Sequence, residues 1–299
     1  MNTWELTLKD FTDYLRLERS LSGNSINAYI NDIKKFHQYI EAKKLSLLPN
    51  QVKYDHLKEF IHWINELGLS PSSQSRIISG IKSFYKYLVI EEEIENDPSE
   101  LLESPRLSRK LPEVLSVDEI NQIIEAIDLS QPEGQRNKAI IETLYSCGLR
   151  VSELINLKIS NLYLNKGFIR IVGKGDKERL VPISRTAIKE IQNYYPYRNQ
   201  MNIQKGSEDN NILNRRGKQL TRVMIFTIIK RLATLVGLKK NISPHTFRHS
   251  FATHLIDGGA DLRAIQEMLG HESIITTEIY THLDRNYLRD TIISHHPRA

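Results

Sequence analysis

Along the first hundred residues, apolar side chains recur three and four positions apart in four successive runs. These are Phe11, Tyr14 and Leu15; Ile26, Tyr29, Ile33, Phe36 and Ile40; Leu57, Phe60, Ile61 and Ile64; and Ile77, Ile81, Phe84, Tyr85 and Leu88. That spacing predicts amphipathic helices. Ser22-Gly23-Asn24-Ser25 offers capping residues where the second run opens, and Gly68 followed by Ser70-Pro71 closes the third. The pattern predicts an all-α N-terminal domain over residues 1–102, with its aromatic residues as its core.

The stretch from Ser104-Pro105 to Leu111-Pro112 is basic and broken by proline, so it cannot continue as helix and predicts a linker over residues 103–115. Ser116 followed three residues later by Glu119 reads as a capping box, with Ile120, Ile123, Ile124 and Ile127 on one face behind it. A second domain over residues 116–299 starts there. Between Gly167 and Ser184 the apolar pattern changes: Phe168–Val172 and Glu178–Ile183 are β-prone runs flanking Gly173-Lys174-Gly175-Asp176-Lys177, which predicts a hairpin with a basic turn. The rest reads as helix, interrupted at Gly217, Gly237, Gly258-Gly259 and Gly270. The expected fold is mainly α with one small β-hairpin or sheet.

Composition narrows the function classes. The chain of 299 residues has one cysteine, Cys147, so neither an internal disulfide nor a multi-cysteine zinc cage is available to hold it together. No apolar run is long enough for a bilayer, and the segment MNTWELTLKDF lacks the order of a signal peptide, which predicts a cytoplasmic protein. Charge is unevenly divided: residues 1–107 carry 13 basic and 16 acidic side chains, residues 108–299 carry 28 and 20. The basic excess lies in the second part and suits a polyanion such as nucleic acid.

Chemistry-bearing residues concentrate in that second part. Ser243-Pro244 predicts an N-cap and first-turn proline for a helix carrying His245-Thr246-Phe247-Arg248-His249. Steps of 100° put His245, Arg248, His249 and Ala252 on one face, opposite Phe247, Phe251 and Leu255. With no carboxylate on it, that His/Arg face is expected to be free for an anion such as phosphate. Arg150 follows Gly148-Leu149, with Glu153 three residues on to orient it. His271 follows the helix stop Leu269-Gly270, and Tyr280 lies in Thr276-Thr277-Glu278-Ile279-Tyr280-Thr281-His282. Each has a duller reading alone: an ion-paired arginine, a packing tyrosine, and, for His245 and His249, a zinc pair that lacks an acidic third ligand.

In order and local sequence, Arg150, Lys174, His245, Arg248, His271 and Tyr280 together resemble the tyrosine recombinase (phage integrase-like) family. Leu21-Ser22-Gly23-Asn24-Ser25, Leu101-Leu102-Glu103-Ser104-Pro105, the Gly-Lys-Gly-Asp-Lys-Glu-Arg hairpin and His296-Pro297-Arg298-Ala299 resemble its Xer branch. The resemblance implies a C-shaped DNA clamp made of a core-binding and a catalytic domain. It also implies Tyr280 as nucleophile, Arg150 and Arg248 on the phosphate, His245 and His271 assisting, and Lys174, rather than Lys177, as proton donor. It implies no cofactor and no metal. Its expected partners are a double-stranded recombination site, a related recombinase or further copies of itself in a tetramer, and a septal DNA translocase. The tail, with Leu283, Tyr287, Leu288, Ile292 and Ile293, is expected to dock on a neighbouring protomer. Chromosome or plasmid dimer resolution is the expected role; a mobile-element integrase and a non-cutting DNA-binding relative are the alternatives.

Overall fold

A computed structural model of the chain describes residues 3–106, 113–131, 133–173, 177–270 and 282–299, with side chains in the last stretch from Tyr287 onward. The chain divides into two compact units, Met1–Lys110 and Leu111–Ala299.

The first unit is helical. Its helices are α1 (Trp4–Leu17), α2 (Gly23–Ala42), α3 (Tyr54–Glu66) and α4 (Pro71–Ile90). The starts follow from the predicted caps: the Ser22 side chain accepts from the Ser25 amide, and Ser70 caps α4 with Pro71 in its first turn. Phe11, Phe36, Phe60 and Phe84 are fully buried, and ring pairs at 5.1 to 5.8 Å such as Phe36–Phe60, Phe11–Phe84 and Trp4–Phe36 join the helices.

The second unit contains α5 (Val117–Glu125), α6 (Gly134–Cys147), α7 (Val151–Ile155), β1 (Leu162–Tyr163), β2 (Phe168–Val172), β3 (Glu178–Pro182), α8 (Arg185–Asn199), α9 (Arg222–Leu235), α10 (Pro244–Asp257), α11 (Leu262–Leu269) and α12 (His282–His295). The predicted capping box opens α5, where the Glu119 amide donates to Ser116 Oγ and the Ser116 amide to the Glu119 carboxylate. The predicted hairpin is present, with Phe168 opposite Pro182 and Val172 opposite Glu178. A third strand extends it: β1 pairs antiparallel with β2, giving the order β1-β2-β3. Helix α6 runs through the middle, its residues Ala139–Cys147 all buried, and packs against α8 and α10.

The tail divides its apolar stripe. Leu288 and Ile292 of α12 are buried in this chain's own second core, while Tyr287 and Ile293 face outward. Beyond the helix, Arg298 reaches Glu142 at 3.2 Å, and the His296 ring lies 4.7 Å from that of Tyr145. The buried half of the stripe packs within the chain, because α10, α11 and β3 offer it an apolar bed.

Candidate functional site

The site is built where three chain reversals meet. Helix α6 ends at Gly148, whose φ of +57° is left-handed; a Cβ there would also stand 2.4 Å from the Phe251 ring. Only glycine meets both conditions. Two residues later Arg150 caps α7, and Glu153 in the first turn accepts from the Arg150 amide at 2.8 Å and from its guanidinium at 2.9 Å. On α10, opened by Pro244 with the Ser243 amide donating to Thr246 Oγ1, Arg248 is buried.

The third reversal is the end of α11. A helix C-terminus leaves carbonyl oxygens without intrahelical partners and concentrates negative potential. Three consecutive carbonyls there each accept from a different arginine: Met268 O from Arg179 Nε at 2.8 Å, Leu269 O from Arg248 Nη2 at 2.5 Å, and Gly270 O from Arg150 Nη2 at 3.3 Å. Arg248 Nη1 also donates to Gly148 O at 2.8 Å. The guanidinium of Arg248 thus clamps the ends of α6 and α11 together.

One carboxylate lies between the three arginines. Glu153 is 2.9 Å from Arg150 and 3.9 Å from Arg248, and Arg179 grips it with two hydrogen bonds of 2.8 Å each. Burial alone would push the Glu153 pKa up; the hydrogen bonds and charge of Arg179, aided by Arg150, bring it below the ordinary carboxylate value. Burial, followed by repulsion from Arg150, brings the Arg248 pKa down to about 10, with Glu153 opposing, so it remains a cation at neutral pH. Two arginines beside one strongly bound carboxylate leave excess positive charge, which suits a phosphodiester.

This corrects the expectation of a free His/Arg face. Helix geometry places only α10's own neighbours, and α7 and α11 cover the Arg248 part of that face, with Glu153 supplying the carboxylate that α10 lacks. His245 remains exposed in the first turn, three residues before Arg248. Arg150 and Arg248 are therefore brought together. Lys174, His271 and Tyr280 lie outside the described residues; the described chain reaches the base of their segments at Gly173, Gly270 and His282. The Gly173 amide donates to Lys177 O at 2.8 Å across the base of the hairpin turn. Burial pushes the Cys147 thiol up to about 12, which makes it inert. Among the described residues there is no group of three His, Cys, Asp or Glu side chains able to hold a metal. Nor is any of the described helices long and apolar enough to cross a membrane.

Sequence reasoning missed Arg179. Its signal was phase: in β3, Arg179 shares the strand face of buried Val181, with Glu178 exposed before them and Leu180 half-buried between, so a charge stands at an inward position.

Comparison with known proteins agrees with this picture. Residues 113–286 match the phage integrase family, and residues 8–92 match the phage integrase N-terminal SAM-like domain. The tyrosine recombinase XerD of Chlorobaculum tepidum is 42% identical over 299 residues, covering 99% of this chain and 98% of that protein. The tyrosine recombinase XerD of Oceanobacillus iheyensis is likewise 42% identical, over 296 residues, covering 99% of each. Among solved structures, the XerH site-specific recombinase bound to its difH substrate in a pre-cleavage complex superposes with a TM-score of 0.69 at 26% identity, covering 89% of this chain and 78% of that one. Family match, near-complete coverage and fold together show that this chain belongs to the Xer branch of the phage integrase family and is a tyrosine-type site-specific DNA recombinase.

Proposed function

We propose that this recombinase cuts and rejoins DNA through a 3′-phosphotyrosine on Tyr280 and a four-way junction, and that it resolves chromosome or plasmid dimers at cell division. The observation that carries the chemical part is the convergence of Arg150 and Arg248 on Glu153 and the end of α11, one residue before His271.

Attack of the Tyr280 oxygen on a phosphodiester breaks the bond to the 5′ oxygen and adds negative charge to the non-bridging oxygens. Arg150 and Arg248 donate to those oxygens, each contributing about 3–4 kcal/mol by comparison with single oxyanion donors elsewhere. A tyrosine of pKa about 10 is protonated at neutral pH, so its proton must leave during attack. His245 and His271 take up or position that proton, and Lys174 protonates the departing 5′ oxygen. The phosphotyrosine keeps the energy of the broken linkage, so a 5′-hydroxyl from another strand displaces Tyr280 without a cofactor. The N-terminal unit closes the duplex into a clamp through backbone contacts. The cell-division role, the cytoplasmic setting, a related recombinase as partner and a septal translocase as regulator rest on the Xer-branch relationship.

A nicked duplex of the host's chromosomal terminus tests this directly. The parent chain forms a covalent adduct that maps to Tyr280 and to one phosphate, and Tyr280→Phe binds the same duplex without forming it. An adduct formed by Tyr280→Phe removes Tyr280 from the role. Lys174→Ala recovers on a 5′-bridging phosphorothiolate, whose sulfur leaves unprotonated; equal failure on both substrates removes Lys174.

A further inference from the structure

Arg179 has no place in the chemistry above, yet it is the arginine most tightly bound to Glu153. Its side chain is only 8% exposed, Nη1 and Nη2 each donate to a Glu153 oxygen at 2.8 Å, and Nε donates to Met268 O at 2.8 Å. One N–H on each of its three nitrogens is thereby committed to Glu153 or to Met268 O. The side chain also lies against the corner before His271: a Cβ on Gly270 would stand 3.1 Å from Arg179 Cδ and Nη1.

Charge balance gives this arrangement a purpose. Arg150, Arg248 and Glu153 alone carry a net charge of +1, and the carboxylate would spend part of each guanidinium's charge. Arg179 brings the described cluster to +2. A phosphodiester carries −1, and the five-coordinate transition state of tyrosine attack approaches −2. We infer that Arg179 is a positioning residue that, by holding the Glu153 carboxylate in a two-point grip, leaves Arg150 and Arg248 with full positive charge for the transition state. The inference rests on the proposed roles of Arg150, Arg248 and Tyr280. It assigns Arg179 no contact with DNA.

The test is single-turnover cleavage of the nicked duplex mapped above, with site binding measured in parallel and folding checked by circular dichroism and thermal midpoint. Arg179→Met, leaving Glu153 to be neutralised by Arg150 and Arg248 alone, lowers cleavage on the order of 10²-fold while site affinity changes less than about threefold. The double variant Glu153→Gln/Arg179→Met restores +2 and recovers most of that loss. It also replaces a buried ion pair with neutral groups, which proteins commonly tolerate, so it remains informative where the single variant folds poorly. On a duplex whose scissile phosphate is a methylphosphonate, carrying one negative charge fewer, Arg179→Met cleaves within about threefold of the parent.

A merely structural arginine predicts equal losses on both substrates and no recovery in the double variant, and that result overturns the inference. Wild-type cleavage by a folded Arg179→Met does the same. If the parent chain itself forms no adduct, the function proposed above fails and this inference falls with it.

Discussion

The two units of this recombinase bury different things. The N-terminal unit sets many rings among the aliphatic side chains of its interior, and among its described residues Asp32 is the one charged side chain that is buried, paired with Arg76 at 2.6 Å. The second unit has a largely aliphatic core and buries Arg136, Glu142, Glu153, Arg179, Glu190, Arg198 and Arg248. An interior of rings and aliphatic chains fixes shape through contact area; an interior holding ionised groups must compensate each charge, and where compensation is incomplete an excess is left to act on a ligand. Stability is the property the first interior is built for, and chemistry the second.

The largest effect that separates them is a cavity. Phe36 is fully buried and meets the rings of Trp4, Tyr39 and Phe60, so Phe36→Ala destabilises the N-terminal unit by about 3–5 kcal/mol. Both tryptophans of the chain, Trp4 and Trp63, lie in that unit, so their fluorescence during urea unfolding reports it alone. The tryptophan transition should move to lower urea while the later loss of helicity from the second unit stays in place. A common shift of both would show that the two interiors unfold as one.

Next in size is a change that hardly alters volume or charge. Arg248→Lys keeps the cation but loses the fork that spans Gly148 O and Leu269 O, and we expect cleavage to fall on the order of 10²–10³-fold in single-turnover assays. Arg76→Lys, in the pair of the first unit, should leave cleavage within about threefold, since its partner Asp32 serves packing. Similar losses from both substitutions would erase the distinction between the interiors.

Gly148→Ala follows. It forces an L-residue into a left-handed turn and places a methyl 2.4 Å from the Phe251 ring, for a cost of about 2–3 kcal/mol in the second unit. Because Gly148 O is an acceptor of Arg248, cleavage should fall as well, measured at a temperature where the variant is folded. A destabilised variant that retained full cleavage would separate the α6 corner from the placement of Arg248.

The same contrast explains what was legible in the sequence. The first unit could be read closely because its information is local: apolar spacing sets each helix, and Ser22, Ser70 and Pro71 mark where helices begin. The capping box at Ser116 and the hairpin of β2 and β3 were legible for the same reason. Strand β1 was not, since two residues between 3₁₀ turns carry no period. At the site, Arg150 and Arg248 could be singled out from family-like neighbours, and the structure brings the two together. The covering of Arg248 was not legible, because Gly148 and Leu269 reach it from 100 and 21 residues away. Arg179 escaped for a related reason: its inward phase is defined by the strand it pairs with and by Glu153, 26 residues earlier. In the tail, an apolar stripe states that it will be covered and is silent about by whom: Leu288 and Ile292 are covered by this chain, Tyr287 and Ile293 are not.

The smallest expected effect distinguishes the interiors by pH. His296 packs against Tyr145 and Phe251, and its Nδ1 accepts the Arg298 amide. Burial, with smaller repulsion from His254 and Arg298, brings its pKa down to about 3 from an ordinary 6.5. The folded protein therefore holds this ring neutral where the unfolded chain protonates it. Its contribution to stability is complete above pH 6.5 and is lost as pH falls from there towards 3, at about 1.4 kcal/mol per unit, or about 2 kcal/mol by pH 5. Asp32 has the opposite sign: burial raises its pKa despite Arg76, so folding of the first unit takes up protons through it and acid does not weaken that unit on its account. Between pH 7 and 5 the urea transition of the second unit should fall while the tryptophan transition of the first stays level. His296→Phe, which keeps a ring against Tyr145, should flatten the dependence; an unchanged slope in that variant would move the acid sensitivity to another group and leave the C-terminal turn without a part in it.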